Sequence, residues 1–238
     1  MKSQNLYNFI REAVVQVPQV KAHLSLRARF MFSEPEEYKT FDYMLRAIEG
    51  LVRGVYTGTI GGQFIDTMAN LISGQLLQAY RQAYEDEGFT ESFMPEYLMQ
   101  AYQADVLSQY DHVDGYYRAI VDARVDGMPI APLLARAQLW AQRWTESYNK
   151  AVVLITAKEG GNLEWQLGAT EQHCPECAAL NGIVARATEW QTLGVRPQNA
   201  PNKHLTCEGW RCDCSLTPTT KRRSPNAYGR IEEILLAK

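Results

Sequence analysis

The chain has 238 residues with 46% apolar side chains, 13 Tyr and 5 Trp, enough to bury a core of its own and unlike the composition of a disordered polymer. Its net charge of −3 supplies no overall field for nucleic acid. The longest stretch without Asp, Glu, Lys or Arg is the 14 residues Thr67–Tyr80, which contain Asn70, Gln75 and Gln78. A bilayer span needs ~20 apolar residues, so a membrane protein is not expected.

The opening segment, MKSQNLYNFIREAVV, reaches Arg11 and Glu12 before an apolar core forms. It does not read as a signal peptide, and a soluble protein made in the cytoplasm is expected. Leu6, Ile10 and Val14 recur at helical spacing until Pro18 stops the run, because proline cannot supply the next helical N–H. Ser33 is placed to cap a second helix, with Pro35 and Glu36 in its first turn. Tyr38, Phe41, Leu45, Ile48, Leu51, Val52 and Val55 then form one apolar face.

Gly58, Gly61 and Gly62 punctuate the chain as a corner between helices. They do not make a phosphate loop, since no Gly-Lys-Ser/Thr follows. The helical pattern resumes from Phe64 through Met68, Leu71, Ile72, Gln75, Ala79 and Tyr84, and Gly88 ends it. Further helices are expected over Met94–Tyr110, Val113–Val125 and Ile130–Asn149. Ala151–Ala157 reads either as the end of the last of these or as a strand. Leu163–Leu167 alternates apolar and polar residues, the period of a half-buried strand. Residues from about Thr217 read as an exit tail, with a short helix over Ile231–Leu236.

Charge shifts along the chain. Residues 1–149 hold 13 basic and 18 acidic groups, net −5, and residues 150–238 hold 11 and 9, net +2. Lys221, Arg222 and Arg223 supply much of that excess and read as a solvated segment.

All five cysteines fall in the 41 residues from Cys174 to Cys214. An odd, clustered set in a chain without an export signal points to metal more than to a disulfide framework. Cys174-Pro-Glu-Cys177 followed by Gly182 is half of a familiar zinc site, because two thiolates two residues apart converge from one tight turn. His204-Leu-Thr-Cys207 and Cys212-Asp-Cys214 supply the other half, thirty residues from Cys177 to Cys207. Five thiols exceed the four positions of a structural zinc. Cys174 and Cys177 are the favoured first pair, completed by two of Cys207, Cys212 and Cys214, with His204 and His173 as weaker candidates. Soft thiolates favour zinc among common divalent ions, with iron as an alternative. Disulfides, free thiols or a redox pair are the competing states. A Cys–His hydrolase built on Cys174 and His204 lacks an orienting third group and an oxyanion hole. Trp190 and Trp210 are expected to cover the metal or to dock the lobe on the helices.

Trp165-Gln-Leu-Gly168, then Cys174-x2-Cys177-x2-Leu180-x-Gly182, then Glu189-Trp190, Pro197 and Cys212-x-Cys214-x-Leu216 resemble the C-terminal part of phage Mu F-like minor head proteins, or head morphogenesis proteins. The similarity runs over about residues 130–218. Asp213 stands where many members have Arg. The resemblance implies a structural, non-enzymatic protein of a phage or prophage virion, made in the host cytoplasm. Its implied partners are the portal and major capsid proteins during head assembly, with packaged DNA as a further contact and no small-molecule substrate. A zinc-dependent nucleic-acid-binding module is the alternative, using Lys203, Arg211 and Lys221–Arg223 on phosphates, and a thiol or metal-dependent enzyme is a third. The expected fold is mainly α. It has a multi-helix N-terminal domain over residues 1–150, a small α+β, cysteine-rich, zinc-binding lobe over 151–218 and a tail over 219–238.

Overall fold

Met44, Ile48, Val52 and Val55 lie on one face of α1 (Phe41–Thr57) and are fully buried, as their spacing requires. The computed structural model describes residues 41–90, 93–169, 172–210 and 212–237. The expected helices around Leu6–Val14 and after Ser33 lie outside them. Gly58 turns the chain with φ +80, and α2 (Gln63–Asp86) returns with Phe64, Met68, Ile72 and Leu76 inward.

Two expected helices are one. α3 runs unbroken over Glu96–Val125, because nothing between Tyr110 and Val113 stops it: no proline is present and Gly115 alone costs only ~1 kcal/mol. Conversely, the helix expected over Ile130–Asn149 is two. α4 (Ala131–Ala141) ends at Gln142, and α5 (Arg143–Lys158) starts at once. The buried Gln75 side chain donates its amide to the Ala141 carbonyl at 2.8 Å, which satisfies an acceptor that the helix end leaves open. Ala151–Ala157 therefore completes α5 and forms no strand.

The strand expected at Leu163 is present as β1 (Asn162–Gln166). It is the centre of a three-stranded antiparallel sheet, flanked by β2 (Val184–Arg186) and β3 (Ser215–Thr219). Pro218 stands on the edge strand β3, where proline's missing N–H is tolerated. Three short helices complete the chain: α6 (Pro175–Leu180), α7 (Ala187–Leu193) and α8 (Ala227–Leu236).

The described residues bury two apolar clusters. One joins α1, the first half of α2, the second half of α3 and α4 around Phe64, Tyr116 and Trp140. The other joins Tyr80, Ala83, Tyr84 and Leu98 to α5, the sheet and the last three helices. α2 reaches both, since 24 residues of helix span about 36 Å. Residue 150, expected as a domain boundary, falls inside α5.

Residues 219–238 are not an exit tail. Ala227 and Ile231 are fully buried against the second cluster, and Lys221 and Arg223 are ion-paired to Glu164 and Glu189. The apolar i, i+4, i+8 face of Ala227, Ile231 and Leu235 drives this docking. Among the described residues no helix is long and apolar enough to cross a membrane.

Candidate metal centre

Proline at the first helical position and Cys174 at the N-cap start α6. Pro175 loses no bond there, because first-turn N–H groups have no helical acceptor. The Cys174 sulfur accepts the backbone N–H of Cys177 at 3.4 Å, which turns both sulfurs to the same side. Cys177 is 1% exposed and Cys214 2%, while Cys174, Cys207 and Cys212 are half-buried. Cys207 sits in a turn closed by the Trp210 N–H to its carbonyl, 2.9 Å. Gly209 follows at φ +78, packed so close to Asn199 and Ala200 that a Cβ would meet their backbone at 3.0–3.2 Å. Cys212 and Cys214 lie on the approach to β3.

These three segments bring all five cysteines together. The sulfurs of Cys174, Cys177 and Cys207 lie within 4.8 Å of one another, as do those of Cys177, Cys212 and Cys214. His173 Nδ1 is 3.7 Å from the Cys214 sulfur, and His173, Asp213 and Cys214 form a third donor group of the same kind. His204 joins none of these groups among the described residues. Its backbone N–H is held instead by Asn202, 3.0 Å. The cysteines are thiols, with no disulfide, and the cluster can hold a metal ion.

Crowding divides the protons unevenly. The thiols of Cys177 and Cys212 donate to Cys214, the Gly168 N–H and His173 add to this, and the Cys214 thiol is pushed down. Cys177 is pushed up by its contacts with Cys212 and Cys214 and by burial. A cation is the natural counter-charge for such a group, because several thiolates this close repel one another.

Two further residues position the sulfurs. Glu176, 7% exposed, accepts the Thr206 N–H at 2.9 Å and its hydroxyl at 2.8 Å, tying the first cysteine turn to the second. Burial alone would raise the Glu176 carboxyl, but the hydrogen bonds from Thr206 and Cys174 outweigh it and hold the group below its usual value. The clamp is thus intact at neutral pH and is lost as pH falls through that lowered value. Glu176→Ala is expected to cost about 1–3 kcal/mol by orphaning the Thr206 donors and to weaken metal binding roughly 10–100-fold, measured by denaturation and by competition with a chromophoric chelator. Gly168 leaves room for the Cys214 strand. A Cβ there would lie 2.2 Å from the Asp213 carboxyl carbon and 2.3 Å from its backbone oxygen. Gly168→Ala is expected to displace Cys214 and lower metal content, whereas Gly161→Ala, which would meet chiefly the Thr156 methyl, should leave metal content unchanged.

Sequence reasoning gave Glu176 no role and named Gly168 only within the resemblance. Glu176 lies between the paired cysteines, but its partner is thirty residues away. Trp190 is buried against Trp165, ring centres 5.7 Å apart, and docks α7 on β1. Trp210 is half-buried and lines a cleft with Gln142, Arg143, Glu146, Gln198 and Cys212. Arg143 donates to the Ala200 carbonyl at 3.4 Å and Asn149 to Gln198 at 2.8 Å, so the loop before Cys207 is seated on α5. No family model, curated protein or solved structure matches the chain.

Proposed function

We propose that this chain is a structural minor head protein of a phage or prophage, whose cysteine lobe is held by zinc and acts with portal and major capsid proteins in head assembly. The observation that carries this reading is the mutual contact of the residues on which the resemblance to Mu F-like head proteins rests. Trp165 is the register partner of Leu216, Trp190 packs on Trp165, and Cys177 meets both Cys212 and Cys214. Residues scattered over fifty positions are one folding unit. A thiolate-rich donor set suits a structural zinc, whereas catalytic zinc usually draws on His and carboxylate ligands. Cys214 has a histidine beside it but is almost completely buried, which leaves a substrate little access to its sulfur. The first test is metal content with a thiol count on purified protein. Zinc with no disulfide supports the reading. Co-purification with portal and capsid proteins from infected or induced cells tests the assembly role, and its absence at native expression would sink it.

Nucleic-acid binding through Lys221–Arg223 is weakly supported, since two of these three charges face Glu164 and Glu189. Replacing all three by Gln is expected to leave retention on a DNA column unchanged at each salt concentration. Tight, salt-dependent retention that disappears in this variant would favour a phosphate-binding role instead.

A further inference from the structure

One tetrahedral zinc with four sulfurs at about 2.3 Å places every pair of its donors about 3.8 Å apart. The five thiols are not arranged as such a foursome. They fall into two triads, Cys174–Cys177–Cys207 and Cys177–Cys212–Cys214, each within 4.8 Å, and no four of the described donors share that distance. Cys177 belongs to both triads. It is the most deeply buried of the five, and its sulfur lies within 4.8 Å of those of Cys174, Cys207, Cys212 and Cys214. His173 extends the second triad through Cys214 at 3.7 Å.

We infer that the lobe holds two zinc ions that share the Cys177 sulfur. The first is bound by Cys174, Cys177 and Cys207, with solvent as its fourth donor on the half-buried side. The second is bound by Cys177, Cys212 and Cys214, with His173, beside the Cys214 sulfur, turning in as its fourth donor. Charge favours this arrangement. One zinc on four thiolates carries a formal charge of about −2, whereas two on five thiolates and a neutral imidazole carry about −1, less to desolvate in a buried site. Each thiol that binds releases its proton to solvent. This inference rests on the zinc reading above and adds the number of ions and the shared ligand.

The experiment is metal stoichiometry of the full chain, purified under reductant and measured by elemental analysis and native mass spectrometry. The expected value is close to two ions per chain, with one of them more readily lost to a chelator in His173→Ala. Replacement of zinc by cadmium-113 should give two resonances split by coupling through the common sulfur. That spectrum needs no variant, so the inference stays testable if Cys177→Ser does not fold. A single ion per chain would overturn the shared site and leave a structural zinc standing. No metal would overturn both. Two cadmium signals without coupling would overturn the bridge, and two ions held as tightly in His173→Ala as in the parent chain would overturn the assignment of the second site.

Discussion

Removing metal at neutral pH is expected to accelerate hydrogen exchange in residues 172–181 and 196–214 while leaving α1 to α4 protected. The first segment's helix, α6, is six residues long and under two turns, far too short to persist alone. Among its described residues the second has no helix or strand and buries few apolar side chains, chiefly Leu205. Ordering a backbone costs about 1–2 kcal/mol per residue, which so little burial does not offset. Structural zinc contributes on the order of 10–16 kcal/mol of apparent binding energy in small peptides, enough to decide the state of both segments. β1, α5 and α7 share an apolar cluster with Tyr80 and Leu98 and should lose less protection. Met44, Ile48, Phe64 and Tyr116 lie in the other cluster, remote from the thiols. Acid should act like a chelator, since protonated thiols release the ion. Unchanged exchange in 172–181 and 196–214 after verified metal removal would show that metal does not order the lobe. Simultaneous loss of protection in α1 would show that the two clusters do not unfold separately.

The parts of this fold that sequence exposes are those set by local repetition. Ile48, Val52 and Val55 announce α1 because successive turns carry the same face inward, although Met44 completes that face while Phe41 is exposed, and Gly58 announces its end. α6 and α7, six and seven residues long, offer under two turns each, too few for a period to emerge. The break between α4 and α5 depends on Gln75, 66 residues away, and no pattern around Gln142 encodes it. In sequence the residues from about Thr217 read as an exit tail, yet Ser215–Thr219 is β3. It is a strand because Leu216 finds Trp165 across the ladder. The metal centre divides in the same way. Five cysteines in 41 residues mark the site from sequence alone, but which sulfur lies in the middle depends on how three loops meet. Cys177 is central because it lies on the first turn of α6, facing inward, with the approach to β3 on one side and the Cys207 turn on the other.

Trp190→Ala is expected to destabilise the chain by about 3–5 kcal/mol, the usual cost of emptying a buried aromatic site. Trp190 is fully buried. Its ring packs on Trp165, and its indole N–H donates to the Leu163 carbonyl at 3.2 Å, so one side chain fixes α7 to the central strand. The truncation opens a cavity between two elements that already have partners elsewhere, β1 in the sheet and α7 through Glu189 to Arg223. Neither can collapse into it without breaking those pairs, which places the cost toward the upper end of the range. For a chain of this size such a loss lowers the melting temperature by roughly 10 °C. Trp190→Phe keeps most of the apolar volume but removes the donor, and should cost about 1–2 kcal/mol. The thiols are held by other contacts, so the metal content of both folded variants should match that of the parent chain. Denaturation curves followed alongside metal analysis separate the two effects. A loss below about 1 kcal/mol in Trp190→Ala would mean that α7 is not held to the sheet by this side chain. Loss of metal in the folded Trp190→Phe variant would mean that the aromatic pair, and not the loops around Glu176 and Gly168, positions the cysteines.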